Sequence, residues 1–136
     1  MSKIIGEKAE ALFLAECINK DLIVSRPFGD NAPYDFVVDV DGKLVKVQVK
    51  STTIFSECRK YRITCGHGST TNNKKEPYSK KEVDFIAVYV FDYDAWYLIP
   101  IKKIKSVSVG LFPHIEGSKG QYEAYKGNWS ALCNSK

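Results

Sequence analysis

The stretch YDFVVDVDGKLVKVQVKST, Tyr34 to Thr52, sets two runs of alternating apolar residues on either side of Asp41-Gly42. An Asp-Gly pair between such runs is the signal for a two-residue type I′ turn, whose central residues both need positive φ. With Asp41 and Gly42 as the loop, Val40 faces Lys43, and the register carries Asp35 opposite Gln48. Period-two alternation then sorts the hairpin into two faces. Phe36, Val38, Val40, Val45, Val47 and Val49 make one face wholly apolar. Asp35, Val37, Asp39, Leu44, Lys46, Gln48 and Lys50 make the other, which gathers an acid, an amide and two lysines at its open end. Exposed charges on one face of an antiparallel sheet are ordinary, and solvation alone accounts for such a face. Three details point further: Pro33-Tyr34 stand at the mouth beside Asp35, Gln48 and Lys50 share its face, and Glu10 lies upstream. An acid, an amide oxygen and a lysine within reach of one another can hold Mg²⁺ and a water against a phosphate.

Working outward, Lys3 to Lys20 has no proline and is rich in Ala, Leu, Glu and Lys, which predicts a helix. Its apolar residues fall almost all round the wheel, so the helix is expected to pack on more than one side. Glu7, three residues from Glu10, reads as a surface acid. LIVSRP is a short candidate strand, and Pro27, Gly29, Asp30, Asn31 and Pro33 form a turn-rich entry to the hairpin. Beyond the hairpin, KYRITC alternates as a strand. Gly66 to Glu82 (GHGSTTNNKKEPYSKKE) has no apolar periodicity and reads as a long exposed loop. Val83 to Val90 and Trp96 to Ile101 are β-branched and aromatic, and FDYDA between them predicts a paired-strand turn. A strand at IKSVSV and a short helix at NWSALC complete the legible part. The whole, residues 1–136, fits a single α/β domain.

At 136 residues, 44% hydrophobic, the chain fits one compact domain with an ordinary core, and a second domain is not expected. Its net charge of +4 is compatible with a nucleic-acid partner only if the basic residues cluster. They do: RKYR at Arg59 to Arg62, KKEPYSKK at Lys74 to Lys81, and KKIK at Lys102 to Lys105. No export signal and no run of membrane-spanning length is present, so a soluble cytoplasmic protein without membrane contact is expected. Cys17, Cys58, Cys65 and Cys133 lack paired spacing, which predicts reduced thiols and no structural zinc.

In order along the chain, GEKAE (Gly6 to Glu10), RPFGDNAPYDFVVD (Arg26 to Asp39), VQVKST (Val47 to Thr52), VDFIAVYV (Val83 to Val90) and WYLIPI (Trp96 to Ile101) resemble the PD-(D/E)xK nuclease superfamily. The pattern stands here as Pro33-Tyr34-Asp35 and Gln48-Val49-Lys50, and it is most similar to the homing endonucleases of this type associated with group I introns. Tyr34 separates Pro33 from Asp35, and Gln48 stands where the second acid is usual. The resemblance implies a restriction-endonuclease-like fold, a central mixed β-sheet flanked by helices. It also implies Mg²⁺-dependent, site-specific cleavage of double-stranded DNA, with Mn²⁺ able to substitute, leaving 5′-phosphate and 3′-hydroxyl ends. On this resemblance Asp35 is the principal metal ligand, joined by the Gln48 amide oxygen and the Val49 carbonyl. Glu10 is the second acid, and Lys50 acts on the attacking water and the phosphate. Asp84 is expected to make a structural hydrogen bond.

The Gly66 to Glu82 segment interleaves lysines with Thr71, Asn72, Asn73 and Tyr78, a mixture suited to phosphate anchoring and groove contacts. Lys74, Lys75, Tyr78, Lys80 and Lys81 are the expected contacts there with Asn72 and Asn73, and Lys46 meets either phosphate or water. One active site per short chain implies a dimer or tetramer for a double-strand cut. The competing readings are a Holliday junction resolvase or restriction-like nuclease on the same fold, and a non-catalytic DNA-binding module.

Overall fold

The computed structural model describes residues 2–68 and 75–133. It opens with helix α1 (Ser2–Asn19), followed by strands β1 (Ile23–Ser25), β2 (Phe36–Val40) and β3 (Lys43–Thr52). Then come β4 (Tyr61–Thr64), β5 (Gly66–Gly68), β6 (Lys75–Pro77), β7 (Phe85–Val90), β8 (Ala95–Pro100), β9 (Ser108–Leu111) and a one-turn α2 (Ser130–Cys133). Five strands form the central sheet in the order β1-β2-β3-β7-β8. The β3–β7 pair is parallel and its neighbours are antiparallel, so the sheet is mixed.

The hairpin forms as its sequence requires. Asp41 and Gly42 take φ of 52° and 87°, and Val40 pairs with Lys43. Its apolar face is buried under α1, which contributes Ala9, Phe13 and Cys17 at four-residue spacing. Phe13 sits at the centre, its ring 5.3 Å from Phe36 and 5.7 Å from both Trp96 and Trp129. The helix packs along this one stripe. Ile4, Leu12 and Ile18 are exposed, in contrast to the many-sided packing that its apolar wheel suggested. A left-handed Asp21 (φ 60°) ends α1, with the Leu22 amide returning to the Cys17 carbonyl at 2.9 Å and the Asp21 amide to Ile18 at 3.0 Å.

The opposite face is covered unevenly, and this unevenness creates the site. Over β7 and β8 lie β4 and β9, an antiparallel pair whose Tyr61, Ile63, Val109 and Leu111 bury Ile86, Val88, Tyr97 and Ile99. Strands covered on both sides read as unbroken apolar runs, and every residue of β7 is buried. The mixed sheet flanked by helices is as expected: α1 and α2 lie on one side, and a two-stranded ribbon covers the other. That ribbon leaves β2 and β3 half-covered, so β2 alternates buried and half-buried residues along its whole length.

The parallel β3–β7 pair needs a long crossover, which contains β4, β5 and β6. Asp84 fastens its return. Its Oδ2 accepts the Lys46 amide at 2.9 Å, and its own amide donates to the Lys46 carbonyl at 2.8 Å. Asp84 is structural, as expected. The Gly66 to Glu82 segment is not simply a loop: β5 and β6 pair antiparallel, Gly66 opposite Pro77 and Gly68 opposite Lys75. A Cβ at Gly66 would collide with the Glu76 carbonyl oxygen, so the approach of these backbones requires glycine.

Candidate active site

The β2–β3 ladder stops at Phe36 and Val47, one residue short of Asp35. The Asp35 amide also donates to the Val47 carbonyl, at 2.9 Å. Two residues of the incoming chain thus oppose one residue of β3, the arrangement of a β-bulge, which re-aims a side chain at a strand end. Asp35 consequently does not continue the ladder opposite Gln48. Its carboxylate turns into the seam instead, where Oδ2 accepts the Val49 amide at 2.8 Å and takes the place of the missing strand. A residue's N–H and C=O leave a strand toward the same edge, so the Val49 carbonyl points to this seam as well.

Glu10 reaches the same place from the middle of α1. Its Oε1 accepts a hydrogen bond from Arg26 Nη2 at 2.7 Å. Burial pushes its carboxyl above the usual range, the charge of Asp35 adds to the rise, and Arg26 opposes it. Asp35 is also raised, again chiefly by burial, against the pull of the Val49 amide, Lys50 and Arg26. The two partly buried carboxylates are thus each held above their ordinary range chiefly by burial, and the first is raised further by the second. With the Val49 carbonyl they offer oxygen donors, the kind a hard divalent cation takes. Among the described residues no group of three or more His, Cys, Asp or Glu could hold a metal.

Gln48 and Lys50 are half-buried on β3, on the face turned away from α1. The Lys50 ammonium lies 5.7 Å from the centre of the Tyr78 ring. Tyr78 is half-buried against the second core rather than displayed on an exposed loop, and burial with the Asp35 charge pushes its hydroxyl up. It confines Lys50. Lys46 donates to the Lys81 carbonyl and lies 5.9 Å from the Tyr34 ring centre, tying β3 to the end of the crossover. Lys80 is paired with Asp84 at 3.0 Å, Lys81 is exposed, and Lys75 stands on β6. Asn72, Asn73 and Lys74 lie outside the described residues.

A cleft of about 420 Å³ opens between Glu10, Arg26, Tyr34, Asp35 and the turn at Pro27 to Asp30. Arg26 is the site residue that sequence reasoning passed over. Ser25 pairs with Val37, which brings Arg26 beside Phe36, its guanidinium 5.0 Å from the ring centre. Its sequence signals were its place at the head of RPFGDNAPYDFVVD and at the end of a short candidate strand, neither of which fixes its partners.

A family model of the PD-(D/E)XK endonuclease matches residues 1–122. Among solved structures, the bacterial homing endonuclease I-Ssp6803I is similar over 96% of this chain and 92% of its own, with a TM-score of 0.85 and 25% sequence identity. No curated protein matches the chain. The mixed sheet, the helix that bears Glu10 and the hairpin that bears Asp35 and Lys50 are thus the frame of a nuclease, and the chain belongs to the PD-(D/E)XK endonuclease family.

Proposed function

We propose that this nuclease is a Mg²⁺-dependent, site-specific DNA endonuclease of the homing kind. The observation that carries the proposal is the bulge at Asp35. It places one carboxylate in the seam of β2 and β3, beside Glu10 and on the strand edge next to Lys50. Asp35, the Gln48 amide oxygen, the Val49 carbonyl and Glu10 are the groups that would hold the ion. When bound, Mg²⁺ supplies Lewis-acid polarisation of the phosphate and a more acidic water.

The chain's own residues do the rest. Lys50, fixed on a strand and walled by Tyr78, presents its ammonium to the phosphate charge as it develops and orients the attacking water. The water oxygen bonds to phosphorus, the bond from phosphorus to O3′ breaks, and the products are a 5′-phosphate and a 3′-hydroxyl. The β5–β6 ribbon has the cross-section that a major groove admits, and Lys75, Lys80 and Lys81 stand on it or close behind it. Base reading is assigned to this ribbon and the segment it brackets, phosphate contact to the lysines. A double-strand cut needs two copies, which would read a pseudo-palindrome.

The test is a randomised linear duplex library incubated with Mg²⁺, its new ends sequenced, beside an immobile four-way junction of unrelated arms. Cutting of both strands at one or very few related sequences is expected. Efficient junction cleavage with an intact library would move the assignment to a resolvase.

A further inference from the structure

Arg26 has no part in the roles above, yet it lines the same cleft as Asp35. Its guanidinium holds Glu10 at 2.7 Å and rests 5.0 Å from the Phe36 ring centre. The two partners are unequally placed. The Arg26 side chain is 60% exposed and that of Glu10 only 27%, so the cation is the more accessible of the two. A divalent ion drawing on Glu10 therefore competes with a cation of the chain itself. A planar, exposed guanidinium in a cleft meant for a polyanion has another partner in prospect, since phosphate offers it a bidentate bond. The Phe36 face gives the guanidinium a resting place.

We propose that Arg26 is a substrate-responsive latch on the second acid: it holds Glu10 in the DNA-free protein, passes to a DNA phosphate when substrate enters the cleft, and so frees Glu10 for the divalent cation. Arg26 is then a positioning residue for Glu10. By linkage, DNA and the cation must each raise the affinity of the other by the same factor. The resting protein disfavours the loaded state, and assembly of the metal site awaits the substrate. The proposal rests on the nuclease reading above, and the experiment separates the two.

The probe is Ca²⁺, titrated calorimetrically into the full chain alone and in the presence of a saturating short duplex at low salt. For the natural chain, Ca²⁺ is expected to bind more tightly with DNA than without. Arg26→Ala should tighten Ca²⁺ binding to the DNA-free protein by about two- to fivefold, the worth of releasing a carboxylate from a partly exposed pair. The gain from adding DNA should shrink correspondingly. Arg26→Gln, which keeps a polar side chain but no charge, should behave alike, and circular dichroism checks that both variants fold. Unchanged or weaker Ca²⁺ binding to DNA-free Arg26→Ala and Arg26→Gln, while Asp35→Asn abolishes binding, overturns the latch and leaves the nuclease reading standing. Undiminished Ca²⁺ binding by Asp35→Asn overturns both.

Discussion

Asn and Ala at position 35 should part company in a way that only the bulge explains. The Asp35 carboxylate does two things: it accepts the Val49 amide at 2.8 Å, and it carries charge into a partly buried seam that pushes its own titration upward. Asp35→Asn keeps an oxygen for the Val49 amide and discards the charge, so the metal-free fold should be as stable as the natural chain or more so. Asp35→Ala leaves that amide without its partner, at a cost of about 1–3 kcal/mol. At a urea dependence of about 1.5 kcal/mol per molar, the Ala variant should unfold about 1 M earlier than the Asn variant. Both should lose cleavage by about a hundredfold or more, since each removes a charged ligand from the site. Urea denaturation followed by tryptophan fluorescence, with plasmid cleavage on the same samples, measures the two effects together. An Asn variant less stable than the Ala variant would refute the account of the seam, and near-normal cleavage by Asp35→Asn would refute the site.

Lys50→Ala should fold normally, bind duplex, and cleave about a hundred- to a thousandfold more slowly in single-turnover assays. Asp84→Ala should cost about 1–3 kcal/mol in denaturation experiments, because it strips the Lys46 amide of its partner at the β3–β7 junction. Replacing Lys74, Lys75, Lys80 and Lys81 by alanine should flatten the salt dependence of duplex binding by about 0.9 in log-log slope for each phosphate no longer neutralised. An unchanged slope would place the ribbon away from DNA. Glu10 and Asp35 both titrate higher folded than unfolded, so their contribution is full below the ordinary carboxylate range and is lost as pH rises through the folded values. A divalent ion relieves that loss, so Mg²⁺ should raise the melting temperature more at about pH 7 than at about pH 4.

The hairpin was legible because its information is local. Asp41-Gly42 dictates the turn, the turn dictates the register, and alternation assigns each side chain a face. The same logic overran its range at Asp35, where one extra residue in the incoming chain broke the alternation, and nothing in Pro33-Tyr34 announced the bulge. Residues that act through distant partners were the least visible. Arg26 and Tyr78 stood in turn-rich or polar stretches whose composition carried no trace of the neighbours that packing would give them. Apolar residues on α1 misled in the opposite sense, since hydrophobicity at Ile4, Leu12 and Ile18 does not say which of them the sheet will cover. The ribbon of β5 and β6 escaped because its residues obey no apolar period. What holds it is the close approach of backbones at Gly66.

The parallel seam of β3 and β7 also divides the chain's labour. The residues assigned to chemistry precede the crossover, from Glu10 to Lys50 on the first strand of the seam, while the residues assigned to target contact fall largely within the crossover that the seam obliges the chain to make. Asp84 returns that crossover to a fixed place, whatever lies between. Length and composition at the tip can therefore drift without disturbing the catalytic frame. A lineage that must follow a changing DNA address could rewrite one segment and inherit the blade intact, and an engineer wishing to redirect cleavage has the same boundary to cut along.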